Sequence, residues 1–360
     1  MTVSVRSFAK INLGLGIGAP RADGFHELLT VYQTIGLHDV VRISVSRGTG
    51  IEIRCEDPRV PLDRTNTCFR LVELAVDALR VKGRVLIEIE KRLPVQGGMG
   101  GASSNAVAAL LGLERAVRKS LPATERLGMA ATVGSDLPLF LLNGTVLGTG
   151  RREGVFPLVD FPATACVVVT PEVGISTPKA FAAWDRLCGA GALARAGGGG
   201  SAAGKGQKPA SLRSVGPDQR SGPPRTDISP YDKLTLPNAS DRMMGLGCAF
   251  SAWLGESYSG APFGRGRAEN PLLALVRAGI ENDFERVVFP EYPELSEVKS
   301  ALKRAGAKYA SLSGSGSTLF GLFASRESAA KVAARLRKQG WPAQPTVTLT
   351  RSQYWTKFQI

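Results

Sequence analysis

Apolar and polar residues alternate along the first part of the chain, which is the pattern of half-buried strands. Over residues 1–18 the apolar positions are Val3, Val5, Phe8, Ile11, Leu13, Leu15 and Ile17. This run predicts a bent strand or a strand pair, with Lys10 and Asn12 near its middle. Three shorter runs predict further strands, at 28–37, 39–47 and 84–90.

Helical spacing replaces this alternation at three places. Apolar residues recur every three or four positions over residues 71–81, an Ala- and Leu-rich run covers 106–117, and a short element covers 139–142. Strands are predicted again at 144–150 and 165–170. Strands and helices mixed in this order favour an α+β domain over a regular βαβ array.

The composition changes after Cys188. Residues 189 to about 229 are rich in Gly, Ala, Ser, Pro and Arg and contain almost no large apolar residues. Burial there cannot offset the entropy of ordering the chain. Apolar residues at 240–254 predict one short helix. We therefore expect a low-complexity insertion at about 189–269 that is disordered or loosely packed.

Regular structure is predicted again from residue 270. The pattern there predicts, in chain order, helices at 272–277 and 294–304, strands at 308–312 and 319–323, a helix at 327–339 and a strand at 346–350. These elements predict a compact sandwich of strands and helices. We expect an N-terminal domain over residues 1–160 and a C-terminal domain over residues 161–350, which the insertion interrupts.

Hydrophobic content and charge limit which classes of protein the sequence fits. The 360 residues are 43% hydrophobic, enough for one large core or two smaller ones, and the formal net charge is +14. A basic chain favours an acidic partner. Because aromatic residues make up only 7% and are not interleaved with basic runs, small anionic substrates are favoured over nucleic acid.

The five cysteines are scattered and form no Cys-x-x-Cys pair. This distribution indicates neither a disulfide framework nor a zinc site, and it favours a reducing compartment. No signal peptide and no apolar run of membrane length is apparent. We therefore expect a cytoplasmic protein without a membrane partner.

A glycine- and serine-rich stretch at residues 94–105 carries the main candidate chemistry. It reads Pro-Val-Gln-Gly-Gly-Met-Gly-Gly-Ala-Ser-Ser-Asn and joins a predicted strand to a predicted helix. Glycines allow backbone N–H groups to turn toward a ligand, and the helix N-terminus adds unpaired donors and a positive dipole end. Ser103 and Ser104 can cap that helix. The stretch predicts a cradle for nucleotide phosphates; the alternative is a tight strand-to-helix turn, because Walker and Rossmann patterns are absent.

Three stretches in one order carry a resemblance to a known family. They are Phe-Ala-Lys-Ile-Asn-Leu at 8–13, the stretch at 94–105, and Ser-Leu-Ser-Gly-Ser-Gly-Ser at 311–317. Together they resemble the GHMP kinase superfamily, whose members phosphorylate small-molecule hydroxyls with ATP. The resemblance covers about residues 3–185 and 270–350. It implies a two-domain GHMP kinase fold, with a mixed-sheet N-terminal domain and an α/β-sandwich C-terminal domain.

Four shorter strings resemble one branch of that superfamily, the diphosphocytidyl-methylerythritol kinases. They are Ala-Lys-Ile-Asn-Leu at 9–13, Asp-Gly-Phe-His-Glu at 23–27, Lys-Arg-Leu-Pro at 91–94 and Gly-Ser-Asp-Leu-Pro at 134–138. The resemblance implies an enzyme of the non-mevalonate route to isoprenoid precursors. Its substrate would be a small cytidyl-diphosphate compound, phosphorylated on its 2-hydroxyl. Phe25 stands where the branch often has Tyr, and Gln96 and Ala102 replace smaller residues or glycine without removing a backbone donor.

The resemblance also assigns catalytic roles. Asp136 is implied as the general base for the substrate hydroxyl, and Lys10 as the partner that holds the carboxylate and offsets charge near the γ-phosphate. From the residues alone, the alternatives are a helix cap for Asp136 and a solvated strand lysine for Lys10.

For the cytidyl substrate, the resemblance implies Asn12, Phe25, His26 and Phe181. Phe25 would stack on cytosine, and His26 would hydrogen-bond to the edge of the base. Phe181 would supply a second ring face, with a place in the core as its alternative.

The nucleotide is expected to be ATP with Mg²⁺, which neutralises charge shared by the β- and γ-phosphates. The expected nucleotide-binding residues are Pro94, Val95, Gln96, Gly97, Gly98, Met99, Gly100, Gly101, Ala102, Ser103, Ser104 and Asn66. Ser104 is expected near the phosphates or the ion, and Asn66 near adenine. The 313–317 loop is expected to brace the first loop; a tight hairpin turn is the alternative to direct ligand contact.

Two other functions stay open. A homoserine or mevalonate kinase of the same superfamily is one, although the Asp-Gly-Phe-His-Glu string at 23–27 argues against it. An RNA-binding protein is the other, which the basic charge supports.

Overall fold

A computed structural model of the chain describes residues 2–21, 23–95, 97–150, 154–197 and 281–360. Gln96, most of the predicted insertion at 189–269, and the predicted helices at 240–254 and 272–277 lie outside the described residues.

The two longest strands, β1 (Thr2–Pro20) and β2 (His26–Ser46), form the middle of the fold. They pair antiparallel over almost their whole length, with register shifts between Phe8 and Lys10 and twice further along. The sequence predicts two strands where β2 is continuous, so the predicted break between residues 37 and 39 is wrong. β1 pairs with β2 on both sides of this point, at residues 26–34 and 38–44, so the two predicted strands form one.

Four more strands complete the first sheet: β3 (Ile51–Cys55), β4 (Arg84–Glu90), β5 (Thr145–Gly150) and β6 (Gly154–Pro157). Their order is β3-β4-β2-β5-β6, with β1 also paired to β2. β4 pairs with residues 40–46 of β2, whereas β5 pairs with residues 28–33. β2 therefore has different neighbours along its two halves. The strands β3 and β6 were not predicted.

Four helices follow the chain through this half: α1 (Thr67–Leu79), α2 (Gly101–Val117), α3 (Ala123–Val133) and α4 (Leu139–Leu142). Residues of α1 and α2 share a buried core with residues of β1, β2 and β4, including Val5, Ile43 and Ile87. α1 begins earlier than predicted because the Asn66 side chain accepts a hydrogen bond from the Cys68 N–H and caps it. The helix α3 was not predicted.

The second sheet consists of β7 (Ala165–Val169), β8 (Tyr309–Leu312), β9 (Leu319–Phe323) and β10 (Ala343–Val347), in the order β10-β7-β9-β8 and antiparallel throughout. The helices of this half of the chain are α5 (Thr177–Gly197), α6 (Glu285–Glu291), α7 (Pro293–Arg304), α8 (Arg326–Lys338) and α9 (Arg351–Phe358). The helices α7 and α8 confirm two predictions.

Three boundaries in this half correct the sequence predictions. The unpredicted helix α5 extends nine residues into the segment that was expected to be disordered from residue 189. β10 ends at Val347, before most of the strand predicted at 346–350. Thr350 instead caps α9 in a capping box with Gln353. The helix α6 was also missed.

The strand β1 links the two halves of the fold. Its Val5 and Phe8 lie in the core beneath α1 and α2, and its Leu15 and Ile17 lie in the core of the second half. Ile11 and its neighbours lie in a third core, which joins the first sheet to β7 and β9. Two sheets, each covered by helices, confirm the predicted α+β class. Within the described ranges, no helix is long and apolar enough to cross a bilayer.

Candidate active site

Lys10 lies near the register shift in β1 and points toward the first glycine stretch. Its Nζ donates to Asn12 Oδ1 at 2.6 Å and to the Gly98 carbonyl at 2.8 Å, and its side chain is only 3% exposed. Asn12 is fixed in turn, since its Nδ2 donates to Thr30 Oγ1 at 2.8 Å. A buried ammonium group held by two acceptors is not a solvated strand lysine, so that alternative is wrong.

Tyr32 connects Lys10 to Asp136. The Tyr32 ring centroid is 5.4 Å from Lys10 Nζ, and the Tyr32 hydroxyl donates to Asp136 Oδ1 at 3.4 Å. The two predicted catalytic residues therefore lie around one aromatic ring although 126 positions separate them in the chain. Asp136 is not a helix cap, because α4 begins after Pro138 without a side-chain cap.

Sequence reasoning missed Tyr32. In the β1–β2 pairing Tyr32 stands directly opposite Asn12. Only the register of the two strands shows that Tyr32 belongs to the site. Alternate residues of a strand share a face, which places Thr30 and His26 on the same side of β2 as Tyr32.

The first glycine stretch lines a cavity of about 310 Å³. Ten of the predicted nucleotide-binding residues form part of its wall: Asn66, Pro94, Val95, Gly97, Gly98, Met99, Gly100, Gly101, Ala102 and Ser103. The Met99 side chain is buried in the core between the sheets, and its carbonyl accepts from the Lys10 N–H at 3.1 Å. Two cationic residues, Arg59 and Lys91, also line the cavity.

Ser104 does not belong to the cavity wall. Its hydroxyl donates to the Phe8 carbonyl and accepts from Ser7 Oγ, both at 2.7 Å, and so ties α2 to β1. The predicted capping role of Ser103 and Ser104 is wrong, because Gly100 is the N-cap and no side chain caps the helix. Of the two serines, only Ser103 faces the space where a phosphate is expected.

The second glycine loop, 313–317, lies directly against the first. Ser313 Oγ donates to the Gly98 carbonyl at 3.3 Å. Gly98 has φ +78°, and a Cβ added there would lie 2.5 Å from the Ser313 carbonyl oxygen. A Cβ added at Gly316 would lie 2.7 Å from the Gly98 nitrogen. The close approach of two backbones explains both glycines and confirms that the second loop braces the first.

Asn282, which the sequence did not suggest, holds the second loop. Its Nδ2 donates to the carbonyls of Leu312 at 2.9 Å and Gly314 at 2.8 Å. Thr177 adds a contact from α5, since its hydroxyl lies 2.7 Å from Ser315 Oγ.

A buried carboxylate fixes the first loop at its entrance. Asp39 is fully buried and accepts from Lys91 Nζ at 2.6 Å and from the backbone N–H groups of Arg92 and Leu93, both at 2.7 Å. Asn105 Nδ2, inside α2, donates to the same carboxylate at 3.0 Å. One side chain of β2 therefore holds the end of β4 and the start of α2, the two elements that the loop connects.

Three of the four residues predicted for the cytidyl substrate, Phe25, His26 and Phe181, lie at the other end of β2, whereas the fourth, Asn12, lies beside Lys10 and opposite Tyr32. The rings of His26 and Phe181 stack with centroids 5.1 Å apart and an interplanar angle of 15°. His26 Nε2 lies 2.8 Å from Asp185 Oδ1 in α5. Phe25 is 54% exposed at the turn before β2, whereas His26 is 8% exposed. The structure brings His26 and Phe181 together and adds Asp185, which sequence reasoning missed.

These two groups are well separated along one strand. Tyr32 follows His26 by six positions, which corresponds to about 20 Å at 3.3 Å per residue. The site is therefore elongated, with aromatic and imidazole rings at one end and a carboxylate, an ammonium group and the glycine loops at the other.

Two family models match the chain. The model described as GHMP kinases N terminal domain matches residues 66–144, and the model described as GHMP kinases C terminal matches residues 268–341. The boundary predicted near residue 160 falls between the two matches and stays a prediction.

Curated relatives narrow the family further. A protein of Solibacter usitatus named 4-diphosphocytidyl-2-C-methyl-D-erythritol kinase is 33% identical over 322 residues, covering 89% of this chain and 81% of the relative. A protein of the same name from a Nocardioides species is 33% identical over 342 residues, covering 94% of each chain.

Solved structures agree on the fold. A crystal structure titled 4-(cytidine 5'-diphospho)-2C-methyl-D-erythritol kinase has a TM-score of 0.64 at 26% identity and covers 96% of this chain and 98% of its own. The L. major mevalonate kinase, solved in complex with R-mevalonate, has the same TM-score of 0.64 at 15% identity, and each chain is covered to 96%. Shape alone does not separate these kinases, whereas sequence identity over the full length does. The chain belongs to the 4-diphosphocytidyl-2-C-methyl-D-erythritol kinase family of the GHMP kinases.

Proposed function

We propose that this chain transfers the γ-phosphoryl group of ATP to the 2-hydroxyl of 4-diphosphocytidyl-2-C-methyl-D-erythritol. The observation that carries the proposal is the convergence of Lys10 and Asp136 on Tyr32, beside a cavity walled by glycine backbone. Family membership supports ATP as the donor, and the relatives carry the name of this kinase.

In the proposed reaction, Asp136 accepts the proton of the substrate hydroxyl as its oxygen attacks the γ-phosphorus. The bond between that phosphorus and the β–γ bridging oxygen breaks, and ADP leaves with the bridging oxygen. Lys10, held beside the loop by Asn12 and Gly98, offsets negative charge on the transferring group. A buried, fixed ammonium group needs little reorganisation when that charge develops.

The nucleotide would lie in the cavity of the first loop. Backbone N–H groups of the loop and of the start of α2 would bind its phosphates, with Lys91 nearby. Asn66, which also lines the cavity, would lie on the adenine side.

Mg²⁺ is proposed to enter with ATP. Among the described residues, no group of three or more His, Cys, Asp or Glu side chains could hold a metal ion. That finding fits an ion bound mainly by phosphate oxygens and water, which is usual for Mg²⁺ in kinases. Ser103, in the cavity wall, is better placed than Ser104 to contact the phosphates or the ion.

Cytosine recognition is proposed at the His26 end. Because a carboxylate only accepts, His26 Nε2 donates to Asp185, and Nδ1 is the ring nitrogen that we propose faces the exocyclic amino group of cytosine as an acceptor. Phe25 offers an exposed ring for stacking. Phe181 stacks on His26 and would hold the imidazole ring in place.

The proposed partner is this small molecule alone, without nucleic acid or membrane. We place the reaction in the cytoplasm, where ATP is supplied; the free thiols of Cys55, Cys68, Cys166 and Cys188 fit a reducing compartment. The two matched regions support N- and C-terminal domains divided near residue 160.

ADP release tests the function directly. The full chain would be assayed with ATP and Mg²⁺ and with 4-diphosphocytidyl-2-C-methyl-D-erythritol, homoserine or mevalonate in separate reactions. We expect turnover with the cytidyl substrate, at least 100-fold faster in kcat/KM than with the other two, and loss of turnover when EDTA removes Mg²⁺. Faster turnover of homoserine or mevalonate would contradict the substrate. Salt-sensitive RNA binding without any ADP release would contradict the kinase itself.

A further inference from the structure

A second cavity lies away from both glycine loops. It has a volume of about 590 Å³ and is formed where β1, β2, β10 and the helices α8 and α9 meet. Its wall includes three cationic residues, Arg6, Arg326 and Lys357, together with His38, Phe8 and Leu349. None of these residues belongs to the wall of the nucleotide cavity. A volume of this size is within the range of small-molecule sites.

Three permanent cations converge on this cavity without an acidic partner. Within the described part of the chain, Arg6, Arg326 and Lys357 form no ion pair with a carboxylate within 4 Å, whereas most other arginines of the first sheet do. Arg6 instead donates through Nη1 to the Lys357 carbonyl at 2.6 Å. Its guanidinium has five N–H donors in all, so others remain for a ligand. Like charges gathered around one cavity repel, and a bound anion relieves that repulsion.

His38 extends the polar side of the cavity. Its Nδ1 lies 2.8 Å from the Gly36 carbonyl, so Nδ1 carries the hydrogen, and Nε2 lies 3.5 Å from Arg92. Burial lowers the pKa of His38, and the positive charges of Arg92 and Arg6 lower it further. The uncharged imidazole ring therefore forms part of the cavity wall between the cationic side chains.

The rest of the wall is apolar. Phe8 and Leu349 are buried at its base, and Val347, Pro345 and Ala330 continue it. An anionic head near the cations would leave room for a hydrocarbon body against these residues. A free inorganic ion would not use this part of the cavity.

We propose that this cavity is a second binding site, which takes a small organic anion: a phosphate, sulfate or carboxylate group on an apolar body. The site is distinct from the kinase site, and the proposal does not depend on which hydroxyl the kinase phosphorylates. Phe8 lies in its wall, and Lys10 follows two positions along β1, so a ligand here would contact the strand that carries the catalytic lysine.

Calorimetric titration of the full chain with n-hexyl phosphate tests the proposal. The active site would first be saturated with a non-hydrolysable ATP analogue and with CDP, so that remaining heat reports the second cavity. We expect one hexyl phosphate per chain, and at least tenfold weaker binding of inorganic phosphate and of hexanol, each of which carries only one half of the recognised chemistry.

Arg326→Gln and Lys357→Gln are the matched variants, because neither side chain holds another element in place. Each is expected to weaken hexyl phosphate binding about tenfold, as loss of a charged hydrogen bond does, with unchanged kcat and melting temperature. Lys303→Gln, an exposed lysine of α7, is the control and is expected to bind like the parent chain.

Three results would overturn the proposal. They are no saturable binding of hexyl phosphate, equal affinity of Arg326→Gln, Lys357→Gln and the parent chain, and complete displacement by the ATP analogue or CDP. Binding to phosphatidic acid vesicles that Arg326→Gln abolishes, without binding of free hexyl phosphate, would also overturn it, since the anion would then come from a membrane surface.

Discussion

The two ends of the candidate site lie on one strand, β2, but differ in how firmly their side chains are held. At the Tyr32 end, Lys10 and Asn12 are almost wholly buried and each has hydrogen-bond partners on more than one element. At the His26 end, the imidazole depends on one ring stack and on one hydrogen bond to Asp185, whose side chain is 55% exposed.

This difference fits the two proposed roles, phosphoryl transfer at the Tyr32 end and base recognition at the His26 end. Charge stabilisation in phosphoryl transfer depends on groups that are already in place, because reorganisation during the reaction costs free energy. Base recognition adds affinity, and a ring at an exposed turn can move to meet its ligand. We therefore expect substitutions at the Tyr32 end to change kcat, and substitutions at the His26 end to change the KM for the cytidyl substrate.

Asp136→Asn should have the largest effect. The amide cannot accept the hydroxyl proton, so kcat should fall by about 10²–10⁴-fold, while the KM values for ATP and the cytidyl substrate stay within a few-fold. Steady-state ADP release measures both. Asp77→Asn, an exposed aspartate of α1, is the matched control. A loss in kcat below tenfold would remove Asp136 from the role of general base.

Gly98→Ala should affect stability and nucleotide binding together. Its Cβ would meet the Ser313 carbonyl oxygen at a positive φ, so the free energy of unfolding should fall by about 2–4 kcal/mol and the KM for ATP should rise. Urea unfolding measures the first quantity.

Gly128→Ala is the control for that variant, since a Cβ at Gly128 within α3 meets nothing within 4 Å. It should raise the free energy of unfolding by up to about 1 kcal/mol. Equal stability of the two variants would show that the loops do not brace each other.

Asp185→Asn should affect the His26 end of the candidate site. A weaker hydrogen bond leaves the His26 ring less constrained, so the KM for the cytidyl substrate should rise by about three- to tenfold at unchanged KM for ATP. His26→Ala should exceed this effect on the same KM. A parallel rise in both KM values would place these residues outside cytosine recognition.

Tyr32→Phe should have a modest effect. It keeps the ring beside Lys10 and removes the hydroxyl that donates to Asp136, so kcat should fall by about two- to tenfold. The pH profile of kcat should shift with it, because a carboxylate that loses a donor gains basicity. An unchanged kcat and an unchanged profile would assign Tyr32 to packing alone.

The smallest effect concerns His38, which lies on β2 outside both ends. Its folded-state pKa is below the ordinary value of about 6.5, so the unfolded chain binds the proton first on acidification. The stability due to neutral His38 is complete above pH 6.5 and is lost as the pH falls toward the folded-state pKa. His38→Gln should flatten this part of the stability curve in urea unfolding and leave kcat unchanged. An unchanged slope would contradict the burial of the ring.

Much of the fold could be read from local pattern. Alternation gave β1 and β4, helical spacing gave α7 and α8, and the glycine-rich stretch at 94–105 indicated a phosphate cradle. Two errors had different causes. β2 stays continuous because β1 pairs with both of its halves, and Asn66 starts α1 through a side-chain cap that periodicity does not show.

The site residues divide in the same way. Lys10, Asp136 and His26 were expected from strings that resemble a family; from the residues alone, Lys10 and Asp136 each had an ordinary structural alternative. Tyr32, Asp185 and Asn282 were missed because each acts on a group at least 30 positions away in the chain. Such contacts leave no local pattern.

The sequence by itself determined the α+β class, the glycine-rich stretch at 94–105 and the family, because these depend on local periodicity, on glycine content and on identity along the chain. Only the tertiary structure decided how the site is held. The register of β1 against β2 sets Asn12 opposite Tyr32, the buried Asp39 carboxylate gathers the ends of the first loop, and the second loop packs on Gly98. Each of these contacts joins distant segments of the chain, and it stabilises the fold only after folding has brought those segments together.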